Sequence, residues 1–297
     1  MRVGIVDIGS NTARLLVADT RRDGTIEEID TRRAYLGLGE EIARKGSLRP
    51  DTVSRAALVA SAYAEVARRE GASTVEVIVT APGRQGDASG RLVAALERST
   101  GMPVHVLSAE EEGRLAYEGA VHRLAGELPD VLGVVDVGGG STEIVVGTPL
   151  AGPAWVRSLD IGSLRLTELE LEGDPPRAKS IDRARAHVRE ALLSLALPSP
   201  DMLIACGGSA RAVWHIVGRR GFSVDDLETV VEVAARTKAA KLAKTFGLHP
   251  HRARTLLAGT LILAETARAL DRPFELAGGG LREGAALALA WPRAAAA

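Results

Sequence analysis

Two short stretches of the sequence each combine an acidic residue with a glycine-rich turn. Residues 4–18 read GIVDIGSNTARLLVA, and residues 133–147 read GVVDVGGGSTEIVVG. They align without gaps at an offset of 129 residues, from Asp7 to Asp136. Each has the pattern strand, acid, glycine-rich turn, strand, so the sequence predicts an internal duplication.

The residue types in these turns favour binding of an anion such as phosphate. Glycine lets the backbone approach a ligand closely, and successive N–H groups in such a turn form a concave anion site. One such turn could equally be a plain tight hairpin, but the matched pair favours a phosphate site. The predicted phosphate-binding residues are Gly9, Ser10, Asn11, Thr12, Gly138, Gly139, Gly140, Ser141 and Thr142.

The acids beside the turns point to a bound cation. Asp7 and Asp136 alone would repel phosphate, but Mg²⁺ prefers carboxylates together with phosphate oxygens. Glu143 follows Asp136 by seven residues, and a tight hairpin would return it to the same place. We therefore predict Asp7, Asp136 and Glu143 as ligands of Mg²⁺, with Mn²⁺ as an alternative. Capping of a turn at a strand end would also explain the two aspartates.

The elements that must position these residues alternate between strands and long helices. Apolar, β-branched runs bounded by Gly and Asp predict strands at 3–6, 15–18, 75–79, 104–107, 132–137, 144–147 and 202–205. Amphipathic spacing predicts helices at 51–69, 109–126, 180–195, 225–246, 251–270 and 280–289. Ser108 followed by Glu111 is a capping-box signal for the second of these helices. The alternation is typical of an α/β fold.

The two turns resemble the phosphate loops of the exopolyphosphatase / guanosine pentaphosphate phosphohydrolase (Ppx/GppA) family. The resemblance continues, in the family's order, at 108–117 (SAEEEGRLAY), 158–168 (SLDIGSLRLTE), 207–211 (GGSAR) and 279–284 (GGLREG). It implies a two-lobed, actin-like or sugar-kinase-like ATPase fold with a duplicated ribonuclease-H-like core and a central cleft. We expect a short form without the C-terminal helical domain of longer members.

The resemblance also divides the chain. Residues 1–125 are expected to form an N-terminal lobe with the first phosphate loop and the general base. Residues 126–297 are expected to form a C-terminal lobe with the second loop. In this fold the last helix often packs back on the first lobe.

Three further residues take roles from the resemblance. It implies Glu112 as the general base and Arg84 as a phosphate-binding arginine, and both are candidate catalytic residues. Glu111 is the neighbour that could be confused with Glu112, although the two side chains point about 100° apart on a helix. A solvated helix start rich in glutamate is the alternative. The sequence around Arg84, Thr-Ala-Pro-Gly-Arg-Gln, departs from the family's Thr-Ser-Ala lead-in and following Asn.

The composition limits which binding partners and which cellular location the sequence predicts. The 37 Lys and Arg residues against 38 Asp and Glu give a net charge of −1, which excludes the basic field of a nucleic-acid-binding domain. No apolar run is long enough to span a membrane, and no signal-peptide pattern is present. A single cysteine fits a reducing cytoplasm. The resemblance implies a homodimer.

Three functions remain open on the sequence. The first is a hydrolase that releases terminal phosphate from inorganic polyphosphate, with short chains favoured, or from guanosine pentaphosphate. The second is an actin-like nucleotide-binding protein or kinase, for which residues 207–209 would form part of a nucleotide pocket. The third is a catalytically weak sensor of guanosine tetraphosphate. Retention of every candidate catalytic carboxylate argues against the third.

Overall fold

The computed structural model describes residues 1–84, 88–124 and 126–292. It divides the chain into two compact units. Unit 1 is Met1–Arg123 together with the chain from Gly279 onward, and unit 2 is Leu124–Gly278. The sequence-based division ended the first lobe at residue 125 and expected that the last helix could pack back on that lobe. In the structure the last helix belongs to unit 1, where it packs against an earlier helix of the same unit.

Unit 1 is a five-stranded sheet with helices on both faces. Its strands are β1 (Arg2–Ile8), β2 (Thr12–Thr20), β3 (Ile26–Tyr35), β4 (Thr74–Val79) and β5 (Val104–Val106). Its helices are α1 (Leu38–Lys45), α2 (Pro50–Arg69), α3 (Ala81–Arg84), α4 (Ala88–Thr100), α5 (Ala109–Val121) and α13 (Leu281–Ala290). The strand order is β3-β2-β1-β4-β5. β1 pairs antiparallel with β2 and parallel with β4.

The central strand β1 is buried on both faces. Val6 and Ile8 belong to a core that includes Ala56 and Ala60 of α2. Val3 and Ile5 point to the opposite face and belong to a core that includes residues 285–287 of α13. Successive side chains of a strand face opposite sides of the sheet. A strand covered on both faces therefore reads as the continuous apolar run seen in the sequence.

Helices α5 and α13 cross at glycines. A Cβ atom on Gly119 would overlap the carbonyl oxygen of Gly280, and one on Gly284 would overlap the carbonyl oxygen of Leu115. Only glycine lets two backbones approach this closely. The crossing fixes α5, which begins at Ala109 and carries Glu112 in its first turn.

Unit 2 repeats the same plan with additional elements. Its strands are β6 (Leu132–Val137), β7 (Thr142–Thr148), β8 (Gly152–Leu159), β9 (Met202–Cys206), β10 (Gly221–Phe222) and β11 (Phe274–Leu276). Its helices are α6 (Ser163–Glu170), α7 (Ala178–Leu193), α8 (Gly207–Val217), α9 (Val224–Arg236), α10 (Ala239–Phe246), α11 (Pro250–Arg254) and α12 (Leu256–Leu270). The strand order is β10-β11-β9-β6-β7-β8.

The two sheets share their topology and their irregularities. Read from β8, the second sheet runs β8-β7-β6-β9-β11, which matches β3-β2-β1-β4-β5 strand for strand in order and direction. The register shift between Val17 and Ala18 in β2 recurs between Val146 and Gly147 in β7. That spacing is again 129 residues, so the duplication predicted from the sequence is present in the fold.

Several elements differ from the sequence prediction. The predicted helix 225–246 is two helices, because the chain is extended at Thr237 and Lys238. The predicted helix 251–270 is interrupted at Thr255, and α5 ends at Val121 instead of residue 126. The elements that were not predicted are β3, β8, β10, β11, α1, α3, α4, α6 and α8. No helix in the described ranges is long and apolar enough to cross a membrane.

Candidate functional site

The first glycine-rich turn joins β1 to β2. Gly9 donates its N–H to the carbonyl oxygen of Thr12 at 3.0 Å, which closes the turn. The carbonyl of Ser10 accepts from the N–H of Gly39 at 2.7 Å, and Asn11 accepts from residues 36 and 37. The N–H groups at the start of α1 thus hold the turn by donating to the carbonyl oxygens of the turn.

The second turn, between β6 and β7, is built the same way. Gly138 donates its N–H to the carbonyl of Ser141 at 3.0 Å, the counterpart of the bond from Gly9 to Thr12. The carbonyls of Gly138 and Gly139 accept from the N–H groups at the start of α6, at 2.9–3.0 Å. A Cβ on Gly162 would overlap the backbone of residues 139 and 140, so glycine is required for this packing.

Both turns therefore have their carbonyl groups engaged and their donors available. Across the described chain, the N–H groups of Ser10, Asn11, Gly139 and Gly140 donate to no protein acceptor. The hydroxyl of Ser10 is also buried without a hydrogen-bond partner in the described residues. Backbone donors collected in one turn are the arrangement that binds anions. By contrast, the hydroxyl of Thr142 donates to the carbonyl of Ile161, so this predicted phosphate donor is engaged within the protein.

The acid beside each turn faces a different neighbour in the two units. Asp7 lies directly opposite Arg14 in the β1–β2 ladder. Asp136 lies opposite Glu143 in the β6–β7 ladder, and Glu143 is buried and accepts from the hydroxyl of Ser158 at 2.8 Å. Directly opposed residues share a sheet face, and like charges there destabilise the pair. Unit 2 thus has two acids at the ladder position where unit 1 has an acid and an arginine.

This donor set in unit 2 suits a hard divalent cation. Two carboxylates next to a phosphate-binding turn are the usual protein share of a Mg²⁺ site, with water and phosphate supplying the other ligands. No group of three or more His, Cys, Asp or Glu side chains in the described residues is placed to hold a metal. Gly207 supports the arrangement, because it has φ +80° and a Cβ on it would overlap Oδ1 of Asp136.

Glu111 and Glu112 occupy different environments at the start of α5. Glu111 closes a capping box: its carboxylate accepts from the N–H of Ser108 at 2.7 Å, and its own N–H donates to the Ser108 hydroxyl at 3.1 Å. These hydrogen bonds lower the pKa of Glu111 below its ordinary value. Glu112 is buried instead, with 8% of its surface exposed. The capping box predicted from the sequence is present, and it commits Glu111 to the helix start.

Arg84 lies beside Glu112. Its Nη2 donates to Oε2 of Glu112 at 2.9 Å, and its Nη1 donates to the carbonyl of Leu107 at 2.6 Å. Arg84 ends the short helix α3, where a Cβ on Gly83 would lie 2.8 Å from Val79 Cγ1 and 2.9 Å from Val106 Cγ1. Glycine at position 83 thus lets α3 pack tightly against β4 and β5. Residues 85–87 lie outside the described ranges.

Comparison with known proteins shows which family has this architecture. The sequence model of the Ppx/GppA phosphatase family matches residues 16–290. The chain belongs to the Ppx/GppA phosphatase family. Exopolyphosphatase 1 of Mycobacterium bovis is 28% identical, covering 96% of this chain and 87% of that protein. Exopolyphosphatase 2 of Mycobacterium tuberculosis is 30% identical, covering 91% of each.

A solved Ppx/GppA structure confirms the fold class. The crystal structure of the Aquifex aeolicus family member superposes with a TM-score of 0.83 at 26% identity, covering 99% of both chains. The predicted α/β fold with a duplicated core is therefore confirmed. The resemblance to the Ppx/GppA family stated from the sequence motifs is confirmed as well.

The structure of this Ppx/GppA protein brings the predicted residues together in two groups. Unit 1 holds the first turn with Asp7, and separately pairs Arg84 with Glu112. Unit 2 holds the second turn with Asp136 and Glu143. Residues 207–209 were considered as part of a nucleotide pocket. The hydroxyl of Ser209 is buried and donates to the carbonyl of Val137 at 3.2 Å. This contact within the protein gives the nucleotide-binding alternative no specific support.

Four residues support the turns without having been predicted to do so, namely Ser158, Gly162, Ser163 and Gly207, the last of which was considered only for a nucleotide pocket. All four lie in the segments that carried the family resemblance, which was the available signal. Their contacts join residues far apart in the chain, such as the bond from the Ser163 hydroxyl to the Gly138 carbonyl at 3.0 Å. Sequence spacing does not reveal such contacts.

Proposed function

We propose that this protein hydrolyses the terminal phosphoanhydride bond of inorganic polyphosphate. The observation that carries the proposal is the ion pair of the buried Glu112 with the half-buried Arg84, which lies in the same unit as a phosphate-type turn. Two relatives that align over most of their length are named exopolyphosphatases. The pair supplies a carboxylate to take a proton and a guanidinium to bind phosphate oxygens bidentately.

The proposed reaction assigns one task to each group. The backbone donors of the first turn and Arg84, both in unit 1, hold phosphate groups of the chain end. Glu112 orients a water molecule and accepts its proton as the water oxygen forms a bond to the terminal phosphorus. The anhydride P–O bond on the opposite side breaks, and the shortened chain leaves with the bridging oxygen. Positioning and charge neutralisation are the main requirements of this chemistry.

A divalent cation would complete the charge balance. Asp136 and Glu143 would hold it in unit 2, and Asp7 stays the corresponding predicted ligand in unit 1. When bound, Mg²⁺ or Mn²⁺ neutralises the phosphate oxygens of the polyanion.

Guanosine pentaphosphate is the second proposed substrate, because its terminal 5′ phosphate is joined by the same type of bond. The family description names both phosphatase types. The turns bind phosphate groups and do not by themselves distinguish a polyphosphate from the end of a nucleotide triphosphate chain.

Phosphate release from polyphosphate, guanosine pentaphosphate and ATP, measured in parallel, tests the proposal. We expect release from polyphosphate, and none of it in a Glu112→Gln protein purified in the same way. Release from ATP alone would favour the nucleotide-binding alternative. Absence of release from all three substrates would contradict hydrolysis and favour the sensor.

A further inference from the structure

The guanidinium of Arg84 bridges two acceptors that differ in freedom of movement. Nη1 donates to the main-chain carbonyl of Leu107 at 2.6 Å. Leu107 is fully buried, and its own N–H donates to the carbonyl of Val79 at 3.0 Å. This acceptor is therefore fixed by the sheet. Nη2 donates to the side chain of Glu112 at 2.9 Å, which rotates about its own bonds.

The backbone on the glutamate side is also fixed. The N–H of Glu112 donates to the carbonyl of Ser108 at 3.0 Å, and the capping box of Ser108 and Glu111 holds the same turn. The side chains of Arg84 and Glu112 are 24% and 10% exposed. Solvent therefore reaches the guanidinium more than the carboxylate, and rotation of the Glu112 side chain would separate the two groups.

The pair opposes both roles proposed for its members. A carboxylate paired with a guanidinium is stabilised in its charged form, and so is a weaker proton acceptor. An arginine that donates from Nη1 to a carbonyl and from Nη2 to a carboxylate has fewer N–H groups left for a phosphate. Opening of the contact between Arg84 and Glu112 would make both groups fully available for hydrolysis.

We infer that the terminal phosphate of the substrate takes the place of Glu112 on Nη2 of Arg84, and that this exchange releases Glu112 to act as the base. The bond from Nη1 to Leu107 keeps the guanidinium in place while its second partner changes. Without a phosphate the base stays held in the ion pair, so water is not activated at an empty site. This inference rests on the proposed function.

Binding of a non-cleavable anion tests the exchange. The probe is methylenediphosphonate, whose P–C–P bridge cannot be hydrolysed as an anhydride, titrated into the full-length protein in a calorimeter at constant ionic strength and Mg²⁺ concentration. If the carboxylate and the probe compete for Nη2, the Glu112→Gln protein binds the probe about tenfold more tightly than the wild type. That factor is the scale of one charge-assisted hydrogen bond.

Two controls separate exchange from general charge repulsion. Glu110→Gln removes the same charge two residues away, from an exposed side chain paired with Arg114, and should change the affinity by less than about twofold. In an Arg84→Gln background, Glu112→Gln should give no more gain than Glu110→Gln. Glu112→Ala provides a second variant with the same expected direction, and thermal melting checks that each protein is folded.

The outcomes distinguish the inference from the proposed function. The exchange is overturned if Glu112→Gln and Glu112→Ala bind the probe no more tightly than Glu110→Gln, or if their gain persists without Arg84. Either result leaves the hydrolase proposal standing, provided that the wild type releases phosphate from polyphosphate. A wild type that binds the probe with the expected coupling but releases no phosphate would contradict the hydrolase proposal alone.

Discussion

Adjacent glutamates in the first turn of α5 have different partners. Glu111 closes the capping box with Ser108, whereas Glu112 is buried against Arg84. Spacing on a helix predicts that the two side chains diverge, but only the family resemblance favoured Glu112 as the base. In the structure one carboxylate serves the helix start and the other faces the guanidinium, and the role of Glu112 as the base stays a prediction.

Replacing Glu112 tests its role as the base. Glu112→Gln keeps the shape of the side chain but cannot accept the proton. We expect kcat for polyphosphate hydrolysis to fall at least about 10²-fold. Glu111→Gln, the matched control, should lose much less. Steady-state phosphate release measures both, and a larger loss in Glu111→Gln would show that the base is misassigned.

The unequal acid pairs lead to a prediction about metal dependence. We expect EDTA to abolish activity and Mg²⁺ or Mn²⁺ to restore it. Asp136→Asn should raise the Mg²⁺ concentration needed for half-maximal rate more than Asp7→Asn does, because Asp136 lies opposite another carboxylate and Asp7 lies opposite Arg14. Full turnover in metal-free buffer would remove the metal role from Asp7, Asp136 and Glu143.

At the residue scale, part of the site is predictable from local sequence. The proximity of Asp136 and Glu143 follows from a tight hairpin, and the register pairs them as expected. The contact between Arg84 and Glu112 joins two helices 28 residues apart. It depends on how α3 and α5 pack around β5. No periodicity of either helix encodes that contact.

At the scale of elements, the helix starts are set by short local signals. The capping box of α5 recurs at α9, where Ser223 and Asp226 bond reciprocally. Ser108 followed by Glu111 was sufficient to place the start of α5 within the sequence. The ends of helices were harder to predict, because α5 stops at Val121 without a glycine to mark it.

The capping box predicts a pH dependence of stability. The N–H and hydroxyl of Ser108 lower the pKa of Glu111 below its ordinary value of 4.5. The ionised carboxylate of Glu111 is therefore more stable in the folded state than in the unfolded state. Its contribution is complete above the ordinary pKa and is lost as the pH falls through the lowered folded pKa. As the pH falls from about 6 to about 3.5, the melting temperature of the wild type should decrease more than that of Glu111→Gln.

Circular dichroism melting at a series of pH values measures this difference. Glu110→Gln is the control, because its side chain is exposed and makes no capping bond. Equal acid sensitivity in Glu111→Gln and the wild type would show that the cap does not contribute to folding stability.

Strand β3 shows why some elements escape a reading of the sequence. Its residues, Ile-Glu-Glu-Ile-Asp-Thr-Arg-Arg-Ala-Tyr, are rich in charge and lack apolar alternation. The strand forms because β2 offers a long edge to pair with, and β3 itself lies at the edge of the sheet. Charged side chains are common on exposed edge strands, where they discourage further pairing. The sequence of β3 alone therefore does not predict the strand, because the strand depends on pairing with β2.

At the scale of the whole molecule, the charge distribution limits how a long polyanion is held. The net charge is −1, and the longest runs of Arg and Lys in the sequence are pairs, at 21–22, 32–33, 44–45, 68–69 and 219–220. Retention of a long chain through many cleavages needs a continuous basic stripe, since each contact with a phosphate adds electrostatic affinity that salt screens.

We therefore expect the enzyme to release long polyphosphate after one or a few cleavages and to favour short chains. A time course of long polyphosphate on a gel measures this. A distributive enzyme shortens the whole population through a ladder of intermediate lengths. Disappearance of long chains with only free phosphate formed would contradict the expectation, and would point to a basic track that the fold assembles from separate arginines.

The glycine crossing of α5 and α13 has a consequence for how the protein is made. Unit 2 is one continuous segment, whereas unit 1 draws its helix α13 from beyond that segment. Domains generally fold as their residues leave the ribosome, in order from the N-terminus. The helix that carries Glu112, α5, can pack against α13 only after residue 290 has been translated. In the growing chain, unit 2 has all of its residues before unit 1 does, and the unit with the proposed base is the later one to close.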